Sequence, residues 1–542
     1  MQLRIAELKI GIIRSVDGAQ IIVKADSLHI TSSGHDLHVE VGSFINCGGF
    51  HGDTICIVTR VYIEEVEKHN EPHINKIVEL SIVGSTNVNR KFTRGIDHLP
   101  PVSCDVFLLN GEQINHLLGI PEDNTKFFKV GTRSMRGAGD VFLDLDKLLG
   151  RHVAIVGTTG SGKSSTVSAI SQSILRSYNR PRMIFFDIHN EYSNAFSGEW
   201  ASKAKCISWS NFSLPYWYLD LDEFIEIFYS DAGGTQKTFI KDGIEELKRE
   251  LIGDETVRQK ISVDSPVYFD IGKLIEKLVQ KKDSESNSAK GTWEKIITKI
   301  ESMISDPRYS FLTHERESLL PLDKYFNWLF GIEEDSETYV TVLDLSGLPS
   351  EVRTITVGIL ARLCFDYRYW DLDPENLPLA LVLEEAHTYI PEDSEKKYSL
   401  CLERIEKIAK EGRKYGLSLM VVTQRPSNVS STVLSQCGTF ISLRLTSDLD
   451  QNKIKRLLPD TIGDQANALS SLRDREGLIS GDAVILPGKV IFDAPNPWPK
   501  SDDVKFHAAW SRGRPDGYSV ADVIGYWNVR EKIVRGATER EN

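Results

Sequence analysis

One run of residues constrains this chain more than any other: Gly157-Thr158-Thr159-Gly160-Ser161-Gly162-Lys163-Ser164, a complete G-x-x-x-x-G-K-[ST] pattern. Its flanks agree with it. The apolar run Val153-Ala154-Ile155-Val156 leads in as a strand, and Ser165 to Ile170 leads out as a helix. Glycines let the backbone amides of such a loop converge on phosphate oxygens, and the helix that follows presents its positive end to them. Lys163 is placed to reach the β- and γ-phosphates, and Ser164 to ligate Mg2+. Gly157 through Ser165 are therefore the expected cradle for a nucleoside triphosphate. A chance glycine turn would lack both the strand and the helix.

A strand–loop–helix of this kind belongs to an α/β sheet, and the rest of the chain supplies one. Val153–Gly157, Met183–Asp187, Tyr339–Leu345, Leu379–Glu384 and Leu417–Thr423 are apolar enough to be buried parallel strands. Helical patterns lie between them at Lys163–Ser177, Glu351–Tyr369 and Tyr398–Tyr415. The pattern predicts an α/β, RecA-like P-loop core over 151–214 and 331–494. Residues 1–110 read instead as short strands (Ile10–Arg14, Gln20–Ala25, Leu37–Val41, Thr54–Val61, Lys76–Val83), the spacing of a small N-terminal β-barrel. The stretch 111–150 is left as a connector, 215–330 as a helical insertion, and 495–542 as a C-terminal arm with Phe506 and Trp510 on one helical face. Inside the insertion, the polar run from Lys281 to Gly291 is expected to be an exposed loop.

Acidic strand ends carry the remaining chemistry, because ligands of open α/β sheets bind at the carboxyl edge. Leu379–Leu383 ends in Glu384 and Glu385. We read Glu384 as holding the metal and Glu385 as polarising the attacking water, against the plainer reading of strand-end charges. Asp187, with Glu191 behind it, is in position to join the Mg2+ shell, or else caps a solvated turn. Gln424 ends another strand, either as a sensor of the γ-phosphate or as part of a turn before Pro426. Arg413 suits a finger inserted into a neighbouring subunit's site, or else a cation at a helix C-terminus. Arg404, Lys407, Lys410 and Lys414 recur at helical spacing and form a basic stripe, either solvated or facing DNA.

Composition narrows the classes. The chain has 542 residues, 41% hydrophobic and 26% charged, values of a folded globular protein and not of a disordered one. The net charge of −13 excludes a basic protein that coats DNA, but not one that threads it through a positive pore. Seven scattered cysteines without a CxxC pair fit reduced thiols in the cytoplasm. No apolar run is long enough to cross a membrane, and Met1–Glu7 lacks the apolar region of a signal peptide.

Taken in order, Gly157–Ser164, Asp187–Tyr192, Glu384–His387, Glu411–Gly416 and Thr423–Pro426 resemble the HerA family of the HerA/FtsK group of translocases. Phe92-Thr93-Arg94-Gly95-Ile96 before Pro100 is similar to that family's connection out of the barrel, and Val340–Leu348 to another of its strands. The resemblance implies a ring, usually a homo-hexamer, that moves double-stranded DNA by hydrolysing ATP with Mg2+. It implies Glu385 as catalytic acid, Gln424 as sensor, Arg413 as the finger acting in trans, and the Phe506/Trp510 arm as an intersubunit brace. It implies a partner docked on the barrel: the nuclease NurA in archaea, and other effectors, NAD-consuming proteins among the expected ones, in bacterial anti-phage systems. The bacterial look of the sequence extends the analogy to phage defence. Two alternatives accompany this reading, an ATP-gated scaffold that assembles an effector and a VirB4-like protein pump.

Overall fold

The computed structural model describes residues 8–18, 20–32, 35–48, 52–68, 71–86, 92–95, 99–118, 125–134, 139–229, 233–313, 321–332, 337–348, 350–392, 399–459, 465–500, 504–513 and 517–529. Met1–Glu7, Ile96 and Tyr398 from the sequence reading lie outside them.

The amino-terminal strands are β1 (Lys9–Asp17), β2 (Gln20–Ala25), β3 (His29–Ser32), β4 (His35–His38), β5 (Phe44–Cys47), β6 (Thr54–Lys68), β7 (Glu71–Thr86), β8 (Phe92–Arg94) and β9 (Asp105–Leu108). Six of them close a ring. The order runs β2-β1-β9-β5-β6-β7, and β7 returns to β2 through the register Gln20↔Ser81 to Ala25↔Lys76. Alternation fills the ring. Ile10, Ile21, Val23, Ile45, Val58, Val78, Leu80, Val106 and Leu108 are all buried in one cluster. Strand β8 adds to the β7 edge. The strand expected over Leu37–Val41 is instead β4, a short hairpin with β3 apart from the ring.

Beyond the barrel come β10 (Phe127–Arg133), β11 (Asp140–Asp144), β12 (Val153–Val156), β13 (Met183–Asp187), β14 (Ala204–Ile207), β15 (Val340–Asp344), β16 (Leu379–Leu383), β17 (Leu417–Thr423), β18 (Thr439–Ser442), β19 (Glu476–Gly481) and β20 (Gly488–Phe492). The chain divides into two compact units. One holds 1–181, 371–393 and 406–499, and the other 182–370, 394–405 and 500–542.

In the first unit, β12 is the middle of a parallel run β16-β17-β12-β18, with all four of its residues buried. Antiparallel strands β19, β20, β10 and β11 extend that sheet. The stretch 111–150, read as a connector, thus contributes two strands. The barrel rests on the turn between β19 and β20. There Arg94 donates to the carbonyls of Ile485 (3.2 Å), Gly481 (2.8 Å) and Val484 (2.7 Å). Arg133 lies over the Phe44 ring at 5.0 Å and donates to Leu486 O. Phe44, Ile55, Ile57, Phe92, Leu109, Ile114 and Leu486 form one buried cluster around this joint.

The second unit has a parallel run β13-β15-β14 and the helices of the insertion. These are Leu221–Tyr229, Gly234–Glu250, Ile271–Ser284, Asn287–Ile304 and Leu322–Phe330, with shorter turns between them. The polar run 281–291 is helical except at Glu285 and Ser286, which corrects the expected loop. Its lysines and alanine are good helix formers, and Lys281 pairs with Glu285 just past the helix end at 2.7 Å.

Arg362 organises a buried ion network in this unit. It donates to Glu223 (2.7 and 2.8 Å), Asp366 (2.8 Å) and Tyr218 O (2.6 Å). Arg404 joins it through Asp220 at 2.6 Å. The expected basic stripe therefore loses its first member, while Lys407, Lys410 and Lys414 are exposed and Lys410 pairs with Glu406. In the arm, Phe506 and Trp510 share a face, their ring centroids 5.4 Å apart, and both are exposed.

Candidate nucleotide site

The phosphate loop joins β12 to the helix Lys163–Ser177. Gly160 and Gly162 take φ of 71° and 87°, in the left-handed region that favours glycine. A Cβ on Gly157 would lie 2.5 Å from Ser161 Oγ, so only glycine lets the loop close there. Neighbouring strand ends hold the loop. Gly157 N–H donates to Thr423 O at 3.2 Å, and Thr158 N–H donates to Arg444 O at 2.8 Å. Arg444 reaches back to Gly160 O at 2.9 Å. Among the described residues the Ser161 hydroxyl is buried without a hydrogen-bond partner, a polar atom left over inside the cradle. Ser164 is half-buried and Ser165 buried at the helix start.

Glu385 follows β16 with φ 45°, a strained conformation for a residue with a side chain. Its Oε2 accepts from the Gln424 amide at 3.2 Å and faces His387 Nδ1 at 3.3 Å, while Oε1 lies 3.9 Å from Lys163 Nζ. Burial pushes this carboxyl up. The His387 hydrogen bond, the Lys163 charge and the Gln424 amide outweigh burial and hold it below the usual carboxylate range. Glu385 is thus an anion within the site. Gln424 Oε1 in turn accepts from Thr159 Oγ1 at 2.6 Å. One side chain and its amide thereby link the phosphate loop to the carboxylate. Thr158, Thr159, Gln424, Arg425, Arg444, Thr446 and Asp450 line an open cleft of about 400 Å³ beside the loop.

Glu384 is buried at the end of β16. Arg413 is exposed in the turn Gly412–Tyr415 and makes no side-chain hydrogen bond or ion pair among the described residues. His152 fixes the turn's approach: its Nε2 bonds Ala409 O and its Nδ1 accepts from Leu419 N–H, both at 3.0 Å. Asp187 lies in the second unit. Its carboxylate accepts from the amides of His189 (3.2 Å), Glu191 (3.1 Å) and Tyr192 (2.9 Å), which ties down the turn after β13.

A loop of this form, with a buried lysine and an ionised carboxylate beside it, is the geometry of a nucleotide hydrolase. Residues 128–364 match the family described as "Helicase HerA, central domain". Over that span the chain is similar to the HerA helicases. Over 505 residues it is 24% identical to the probable DNA double-strand break repair helicase HerA of Methanocaldococcus jannaschii, covering 88% of this chain and 95% of that one. It is 28% identical over 356 residues to the DNA double-strand break repair helicase HerA of Saccharolobus solfataricus, covering 63% and 64%. Its fold is similar to that of VirB4 of Thermoanaerobacter pseudethanolicus, with a TM-score of 0.50 and 18% identity over 68% of this chain and 96% of that one.

In this ATPase the sequence-read residues Gly157–Ser165, Glu385 and Gln424 come together in the first unit. Two further residues bear on the site. His387 orients Glu385, and Arg444 clamps Gly160. His387 sits inside a quoted motif, but no spacing marks its contact. Arg444 follows β18 with no motif at all.

Proposed function

We propose that this chain is a HerA-type ATPase, the subunit of a homo-hexameric ring that translocates double-stranded DNA, serving a nuclease or NAD-consuming effector docked on the barrel, in the cytoplasm and in phage defence. The observation that carries the reading is the contact chain Lys163–Glu385–Gln424–Thr159, which sets acid, lysine and sensor around one loop. The names of the relatives, which are DNA helicases over most of this chain's length, support DNA as the track. Among the described residues no helix is long and apolar enough to cross a membrane.

In this reading Lys163 neutralises the charge of the terminal phosphates and Glu385 orients the attacking water and takes its proton. Mg2+ fits the residues present. Ser164 and Glu384 would hold it together with the nucleotide's own oxygens, a sparse set typical of this ion. Among the described residues no group of three or more His, Cys, Asp or Glu side chains gathers into a metal site. When bound, the ion neutralises the phosphate oxygens. Arg413, which makes no side-chain hydrogen bond or ion pair among the described residues, reaches the site of the next subunit. The working organisation is a barrel over 1–110, a connector over 111–150, a core over 151–214 and 331–494 broken by the insertion 215–330, and the 495–542 arm as a brace between subunits.

ATP turnover measured with and without double-stranded DNA tests the reading. DNA is expected to stimulate turnover several-fold, and Glu385→Gln to bind ATP but not turn it over. Turnover indifferent to DNA at low salt, or an effector still active with Glu385→Gln, would overturn the motor.

A further inference from the structure

The phosphate loop accounts for the triphosphate and leaves the base unassigned. Two residues far apart in sequence, Arg475 and Trp498, are both tethered to that loop and its helix. Arg475 N–H donates to Ser161 O inside the loop at 3.2 Å. A Cβ on Gly162 would fall 2.7 Å from Asp474 Oδ1 and 2.9 Å from Arg475 Cγ, so these residues press directly on the loop. Arg475 holds φ 57°, and its position is pinned from behind: its carbonyl accepts from Phe492 N–H at 2.9 Å and its Nη1 donates to Phe492 O at 3.3 Å.

Trp498 is tethered from the other direction. Gln172, fully buried on the phosphate-loop helix, accepts from Asn496 N–H at 2.8 Å and donates to Pro497 O at 3.0 Å. The next residue is Trp498, whose ring lies 5.3 Å from the Arg475 guanidinium. Despite these anchors its indole is 47% exposed. A tryptophan fixed on both sides and still half in water is a platform, since an aromatic serving only the core would be covered.

We propose that Trp498 and Arg475 form the base subsite of the nucleotide site, with the purine ring of ATP stacked against this pair. The inference rests on reading Gly157–Ser165 as the phosphate cradle. A base lies one ribose beyond the α-phosphate, and planar π-faces stack readily on indole and guanidinium surfaces.

Equilibrium binding of a non-hydrolysable ATP analogue and of inorganic tripolyphosphate, both with Mg2+, separates base from phosphate recognition. Trp498→Ala in the full chain is expected to weaken the ATP analogue about tenfold and leave tripolyphosphate unchanged, while Trp498→Phe keeps most of the affinity. The unchanged tripolyphosphate affinity also shows that the variant is folded. Equal losses for both ligands, or no loss for either, would overturn the base subsite. A wild-type chain that binds neither ligand would overturn the phosphate cradle and the subsite with it.

Discussion

Glu385 shows how much one residue's surroundings decide. It sits in a strained backbone conformation, 7% exposed, where burial alone would favour the neutral acid. His387, Lys163 and the Gln424 amide reverse that preference and hold the carboxyl below its ordinary value of 4.5. The sign follows. A depressed carboxyl contributes stability above its ordinary value and loses it as pH falls through the lowered one. His387→Ala removes the leading counterweight, so the Glu385 carboxyl rises and the acidic limb of the turnover–pH profile moves to higher pH. Profiles of the two proteins measured side by side check this, and an unmoved limb would refute the assignment of His387 as a positioning residue.

At the scale of elements, the buried network of the insertion sets its own requirement. Glu223 is 2% exposed and partnered by Arg362. Glu223→Ala leaves that guanidinium buried without its main partner, a change expected to cost about 3–5 kcal/mol. Thermal unfolding of the variant reads the loss, and an unchanged midpoint would show that water replaces the carboxylate. The same element explains why Arg404 misled. Its spacing with the lysines is real, but only packing reveals that Asp220 turns it inward. Legibility elsewhere followed physical contrast. The buried strands β12, β13 and β17 are continuous apolar runs and were readable almost to the residue. The antiparallel additions were not. β20 alternates buried with half-exposed residues over only Gly488–Phe492, and β10 contains a glycine. The polarity of the 281–291 run resembles a loop, whereas its helices show only in the helix-forming lysines and in the pairing of Lys281 with Glu285 at the helix end. At the site, the phosphate loop and the double carboxylate were legible because their spacing encodes chemistry. Arg444 and Trp498 were not, because tertiary contacts alone bring them to the loop.

For the whole molecule, the net charge of −13 bears on how a translocating ring would hold DNA. A net negative chain repels phosphates, so in the proposed ring binding would wait until a positive pore is assembled. The free subunit is expected to bind duplex DNA weakly, with affinity appearing on assembly and falling steeply as salt rises. Fluorescence anisotropy across protein concentration and salt checks this, and tight binding by a dilute monomer would refute it. One further property follows from the strand pair β19–β20. Its turn is gripped by Arg94 of the barrel, while Arg475, at the opposite end of the pair, presses on Gly162 of the phosphate loop. Packed strands in mid-sheet are stiff and transmit strain instead of absorbing it. The pair is therefore a strut with the barrel bolted to one end and the nucleotide cradle to the other. A load applied to the barrel is felt at the floor of the cradle without passing through any flexible joint.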